Sequence, residues 1–273
     1  MSLIYNPYTD ATEHTEEEVQ QIVDLFTANK KPVEESKRNI IVFNGTVGSG
    51  KTYSMIKYYN SLSKDQKDQT VFNAFDENGV IYAMPKYWDE IYDLHIKYNH
   101  LPHQQRMEIR DKYQRDTHYI FPLIQQTAKD NGNNLLIDMT MQGQFALASL
   151  DPYKEEGRKI ILNSFISGIE IAKKRVDNRV RSLWQEEFSS KYDNWFYNFK
   201  NLLNNVDELN LYYNPNNIDE PELIVSFANG IATSFNDPVY TSMQQELDNQ
   251  EKSPKEFLEE MKSIKDGYIS TPI

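Results

Sequence analysis

Gly45, Gly50, Lys51 and Thr52 follow the order G-x-x-x-x-G-K-[ST] inside the stretch "IIVFNGTVGSGKTYSM", residues 40–55. These types at this spacing suit one task, the holding of a triphosphate. Glycines without Cβ let the turn close and let successive backbone N–H groups face the β- and γ-phosphates. A helix starting at the end of the loop adds a partial positive charge, Lys51 adds a full one, and the Thr52 hydroxyl is placed to ligate Mg2+. A chance match in a surface glycine loop is the plainer alternative. The apolar run before the loop and the helix-compatible run after it weigh against that alternative, because they are the strand and helix such a loop requires. The expected nucleotide-contacting set is Gly45, Thr46, Val47, Gly48, Ser49, Gly50, Lys51, Thr52 and Tyr53.

Transfer of a phosphoryl group also needs a proton acceptor and cations for the charge on the transferring group. In a doubly wound sheet both come from the carboxyl ends of strands near the first. Asp76, at the end of "TVFNAFDENG", and Asp138, ending "NNLLIDMT", are the acidic candidates. Either could be a turn or cap residue, a place Asp favours. Asp138 follows its apolar run directly, where a carboxylate that holds Mg2+ would sit. The cations lie in "IAKKRVDNRVRSL", residues 171–183, where Lys173, Lys174, Arg175, Arg179 and Arg181 cluster in an otherwise acidic chain. Arg175 and Arg179, four apart, share a helix face. A solvated face balanced by Glu170 and Asp177 is the bland reading; the position after the fourth predicted strand favours a cover over the triphosphate.

The elements that must position these groups are legible as alternating runs. Short apolar stretches at 39–43, 70–75, 133–139, 159–165, 208–213 and 222–227 read as strands, with helical patterns between the first four. Strands that are almost continuously apolar and separated by helices predict an α/β fold, a mostly parallel sheet with helices on both faces. The last two strands, joined through "NPNNIDEP", either continue this pattern or pair instead as a hairpin at the sheet edge. Val19, Ile22, Val23 and Phe26 recur at helical spacing after Glu16, Glu17 and Glu18, which predicts a leading helix. Near the other end, Ser253, Pro254 and Glu256 read as an N-cap, a first helical position and a capping box. The expected organisation is an N-terminal helical extension over 1–37, a P-loop domain over 38–227 and a C-terminal helical appendage over 228–273.

Composition sets the outer limits. The chain has 273 residues, 39% of them hydrophobic and 26% charged, enough for a packed core. Its formal net charge of −12 argues against affinity that comes from neutralising a nucleic-acid backbone. With no cysteine, disulfides and thiolate metal sites are excluded. No signal-like segment and no membrane-spanning run is read, so a soluble cytoplasmic location without membrane attachment is the expectation.

Taken in order, these residues resemble the zeta-toxin family of P-loop kinases, the toxic halves of bacterial epsilon/zeta toxin–antitoxin pairs. The likeness covers residues 38–227. "GTVGSGKT" is similar to the family's "GxxGSGKT". "FDENGVIYAMPKYWDEIYDLH" is similar to the stretch in which an Asp ending the second strand precedes "HPxFDEL", which places Asp76 at the family's catalytic base. "NNLLIDMT" is similar to "YNLVIEGT", which places Asp138 at the family's acidic position and Thr140 at its substrate-contacting threonine. "KKRVDNR" is similar to the lid helix, with Arg175 at the first of two catalytic arginines; the second is open between Arg179, Arg181 and Lys191. The chain departs from the family where Glu-Gly-Thr-x-Arg becomes Asp138-Met139-Thr140-Met141-Gln142, so that a neutral side chain replaces a basic one. The spacing from Asp76 to Pro85 is also longer.

The resemblance implies ATP-dependent phosphorylation, with Mg2+, of a sugar hydroxyl on a small-molecule acceptor, UDP-N-acetylglucosamine or a related nucleotide sugar. It implies catalytic roles for Lys51, Asp76, Arg175, Arg179 and Arg181, and acceptor contacts from Asp76, Glu77, Asp138, Thr140 and Gln142. Thr52 and Asp138 would hold the metal. An antitoxin protein is the implied partner. Two rivals remain: a nucleotide-driven ATPase or GTPase, for which no Asn-Lys-x-Asp motif is found, and a nucleotide-binding regulator without kinase activity. For the latter, "KYDNWFYNF" at 191–199 would serve as an interface, if it is not a helix packed on the core.

Overall fold

The computed structural model describes residues 13–74, 79–141, 147–178, 185–215, 220–252 and 254–269. These form two compact units. The described residues of the first are 13–38, 58–74 and 79–137; those of the second are 39–57, 138–141, 147–178, 185–215, 220–252 and 254–269. Asp76, Glu77, Gln142, Arg179, Arg181 and the expected cap Ser253 lie outside the described residues.

In the first unit, helix α1 (Glu16–Thr27) opens with a capping box, in which Thr15 and Glu18 satisfy each other's backbone N–H. It buries Val19, Ile22 and Val23, three of the four positions read from its periodicity; Phe26 is half-buried. Helix α1 packs on α5 (His103–Asp130). Ahead of α1, the buried His14 Nδ1 meets Asp116 Oδ2 of α5 at 2.5 Å, and the Glu13 N–H donates to the same carboxylate. Strand β2 (Thr70–Asn73) pairs in parallel with β3 (Asn134–Asp138), Thr70 opposite Asn134. Helix α3 (Lys64–Gln69) leads into β2, and α4 (Pro85–Tyr98) starts at a proline, where a missing N–H costs nothing.

The second unit carries β1 (Asn39–Gly45), whose residues from Ile40 to Gly45 are all buried, as a central strand demands. It pairs in parallel with β4 (Lys159–Ile166), and β4 pairs in parallel with β5 (Glu208–Tyr213). Beyond β5 the direction reverses. Strand β6 (Glu222–Ala228) is antiparallel to β5, which decides for the hairpin of the two pairings the sequence left open, but it is not the edge, because β7 (Ile231–Phe235) pairs antiparallel beyond it. The fold is α/β with mostly parallel strands, as the alternating runs predict. The strand β7 was not read from the sequence. It follows Asn229 and Gly230, both at positive φ (49° and 76°), the two-residue turn whose twist matches a hairpin.

The helices of this unit are α2 (Lys51–Ser61), of which residues 51–57 belong here, α6 (Asp151–Glu155), α7 (Ile169–Asp177), α8 (Gln185–Asn204), α9 (Asp237–Asp248) and α10 (Lys255–Ile269). The aromatic segment 191–199 is a packed helix face: Tyr192, Trp195, Phe196 and Phe199 of α8 are buried, and Phe257 of α10 lies against the last three. Among the described residues no helix is long and apolar enough to cross a membrane.

Candidate functional site

The glycine loop joins the carboxyl end of β1 to the first turn of α2, the strand–loop–helix context the motif needs. Two buried systems hold its base. On one face of the sheet Phe43, Phe165 and Tyr212 stack in a row across β1, β4 and β5, with ring centroids 5.7 and 4.9 Å apart. Elsewhere on β1, the Asn44 carboxamide oxygen accepts from Ser164 Oγ and from Trp195 Nε1, both at 3.0 Å. The loop then leaves the strand through a bond from the Thr46 N–H to the Phe165 carbonyl, 3.0 Å, and closes on itself as the Ser49 N–H donates to the Thr46 carbonyl, 3.2 Å.

The geometry at Gly48 and Gly50 requires glycine. Gly48 has φ +77° and packs so tightly on α7 that a Cβ would lie 2.7 Å from the Cα of Ala172. Gly50 has φ +92°, and a Cβ there would sit 2.8 Å from Asn214 Nδ2. Both conformations are disfavoured for any residue with a side chain. The hydroxyls of Thr46 and Ser49 are buried with no hydrogen-bond partner among the described residues. A loop of this curvature with unsatisfied hydroxyls fits a phosphate-bearing ligand, whose oxygens accept from such donors.

Lys51 opens α2 and is 5% exposed, while Tyr53 stands out at 64%. Thr52 Oγ1 donates to Asp138 Oδ2 at 2.6 Å, so the two residues read from separate motifs meet at one point. Asp138 is buried, and the backbone just beyond it is anchored by a bond from the Met139 N–H to the Phe43 carbonyl, 3.0 Å. A hydroxyl and a carboxylate side by side are hard oxygen donors of the kind Mg2+ takes. Among the described residues no three His, Asp or Glu gather into a metal cage. That suits magnesium, which in nucleotide sites takes one or two protein oxygens and completes its shell with phosphates and water.

Arg175 lies on α7, and its guanidinium turns to the loop: Nη1 donates to the Gly48 carbonyl and Nη2 to Asn214 Oδ1, each at 3.0 Å. Asn214 in turn donates through Nδ2 to the Ser49 carbonyl, 3.0 Å. The sequence reading missed Asn214; in "YYNPNN" an Asn before a Pro looks like an ordinary turn. Thr140 is half-buried, two residues beyond Asp138. Met141 follows in the left-handed region at φ +50°, its carbonyl accepting from Asn198 of α8 at 3.4 Å. Lys191 is paired within α8 to Glu187, 2.6 Å away. One residue before Asn214, the buried Tyr213 hydroxyl donates to Glu246 of α9. Burial, and then that carboxylate, push the Tyr213 phenol far above its ordinary value.

No family model matches the sequence, and no curated protein does. Solved structures do. A chain from the PezAT chromosomal toxin–antitoxin system of Streptococcus pneumoniae is similar with a TM-score of 0.55 at 13% identity, over 95% of this chain and 99% of that one. The native AvrRxo1-ORF1:-ORF2 complex contains a chain similar at a TM-score of 0.56 and 13% identity, over 87% of this chain and 73% of that one. The same complex with ATP gives 0.53 at 13% identity, over 83% and 71%. At this identity the likeness shows the fold, and the resemblance to zeta toxins read from the sequence holds at that level.

Proposed function

We propose that the protein is an ATP-dependent small-molecule kinase of zeta-toxin type. The observation that carries the reading is the 2.6 Å bond between Thr52 and Asp138 at the mouth of a glycine loop. A neighbour of the same fold that was solved with ATP supports the choice of nucleotide. In this reading Lys51 and the loop amides hold the phosphates, and Thr52 and Asp138 hold Mg2+, which when bound neutralises charge on the phosphate oxygens. The acceptor hydroxyl forms the new O–P bond as the bond from the γ-phosphorus to the β–γ bridging oxygen breaks, and ADP leaves with that electron pair. Asp76 is assigned the hydroxyl proton. Arg175, with Arg179 or Arg181, is assigned the charge on the transferring group, and Glu77, Thr140 and Gln142 the acceptor. The finer proposal for that acceptor is a sugar hydroxyl of UDP-N-acetylglucosamine or a related nucleotide sugar. A protein partner that covers the nucleotide site belongs to the same proposal, since the neighbours come from a toxin–antitoxin system and a two-component complex.

The test is ADP release by the full chain with Mg-ATP, alone and with UDP-N-acetylglucosamine or a metabolite extract, followed by the mass of the product. Acceptor-dependent release with one phosphoryl group added to a metabolite is the expected result. Release that ignores the acceptor would make the protein an ATPase, and binding of ATP without release a nucleotide-binding regulator.

A further inference from the structure

We infer that Asn214 is a positioning residue of the phosphate loop and that with Arg175 it forms a brace which fixes the direction of the loop's N–H groups. The inference rests on the triphosphate reading above and adds to it a side chain that no motif contains.

Asn214 follows β5 directly, and its own N–H is fixed by the Ile166 carbonyl at the end of β4, 2.8 Å away. The residue is 5% exposed, and its side chain has two separate duties. Its amide nitrogen donates to the Ser49 carbonyl and its amide oxygen accepts from Arg175 Nη2. The second guanidinium nitrogen, Nη1, donates to the preceding carbonyl, that of Gly48. Two consecutive loop carbonyls are thus taken by one connected pair of side chains. The amide cannot be turned over, because that would set its NH2 against the guanidinium and its oxygen against the Ser49 carbonyl.

A trans peptide unit points its C=O and the following N–H in opposite directions. Holding the Gly48 carbonyl outward therefore turns the Ser49 N–H inward, where it closes the loop on the Thr46 carbonyl. Holding the Ser49 carbonyl outward turns the Gly50 N–H to the opposite side, the concave side that a phosphate would occupy. Left without Asn214, the Gly50 peptide could rotate, since glycine offers no side chain to hold it. The brace makes the anion-binding arrangement the resting one, so a nucleotide need not pay to create it.

The experiment compares the wild-type chain with Asn214→Ala and Asn214→Asp in calorimetric titrations with ATP, inorganic tripolyphosphate and adenosine, alongside thermal melts of the nucleotide-free proteins. In Asn214→Ala, affinities for ATP and tripolyphosphate are expected to fall together by about tenfold or more, the size of one or two hydrogen bonds, while adenosine is unaffected. Asn214→Asp keeps the size of the side chain and the bond from Arg175 but replaces the donor to Ser49 by an acceptor. It is expected to lose phosphate affinity as well, and it decides the matter if the alanine variant does not fold. Wild-type affinity for tripolyphosphate in a folded variant overturns the brace and leaves the triphosphate reading standing. Failure of the wild-type chain itself to bind ATP or tripolyphosphate overturns both.

Discussion

The Thr52 hydroxyl has a single proton, and it goes to Asp138. Its lone pairs are thereby left for a hard cation, a division of labour that a methyl group cannot perform. Thr52→Val keeps the shape of the side chain and removes both functions. Titrated with ATP in the presence and absence of Mg2+, that variant should lose about 10–100-fold of the metal-dependent affinity and little of the rest; an equal metal effect in both proteins would take Thr52 out of the cation site. Gly48 carries a different kind of information. A methyl group there meets the backbone of Ala172 at a φ of +77°, so Gly48→Ala should destabilise the fold by more than the roughly 1–2 kcal/mol of the left-handed conformation alone, read as a lower melting temperature. An unchanged melt would mean that the loop does not seat on α7 as described.

At the scale of elements, α8 supports the site from behind. Trp195 is fully buried, and its indole N–H is one of two donors to Asn44, the residue before the loop's first glycine. Trp195→Phe keeps most of the packing and removes one donor to a buried oxygen, which should cost about 1–3 kcal/mol in urea denaturation; no loss would mean that Ser164 alone satisfies Asn44. Much of this level was legible in the chain. Strands β1 and β3 are almost continuously apolar and read as runs, and the loop motif announced its own strand and helix. What escaped was written in weaker signals. β7 alternates between half-exposed and exposed positions, from Ile231 to Phe235, so it carries no apolar run, although the Asn-Gly pair before it marks a hairpin. Helix α9 follows Asn236, whose side-chain oxygen caps it by accepting from the Val239 N–H, and has Pro238 in its first turn; both are readable start signals within the 228–273 segment. Asn214 escaped for another reason: its role depends on partners 39 and 165 residues away, and local pattern holds no trace of either.

The molecule as a whole carries a net charge of −12, and part of its acid response can be assigned. Lys86 beside it, with help from the Thr15 N–H, holds the Glu18 carboxyl down at about 2, against 4.5 for a free one. Since the folded value lies below the unfolded one, this contact stabilises the protein above pH 4.5 and the benefit is lost as the pH falls towards 2. Glu18→Gln should therefore flatten the dependence of the melting temperature on pH in that window and leave the slope near neutrality unchanged; an unaltered acid limb would show that Lys86 does not act on Glu18 in solution. One further consequence concerns the order in which the chain is made. On a ribosome the loop from Gly45 to Thr52 emerges early, whereas Asn214, its partner through Ser49, follows 165 residues later. A chain made only as far as the motif therefore lacks the tie that holds it, and its grip on a nucleotide should mature only once Asn214 has been added and has folded back.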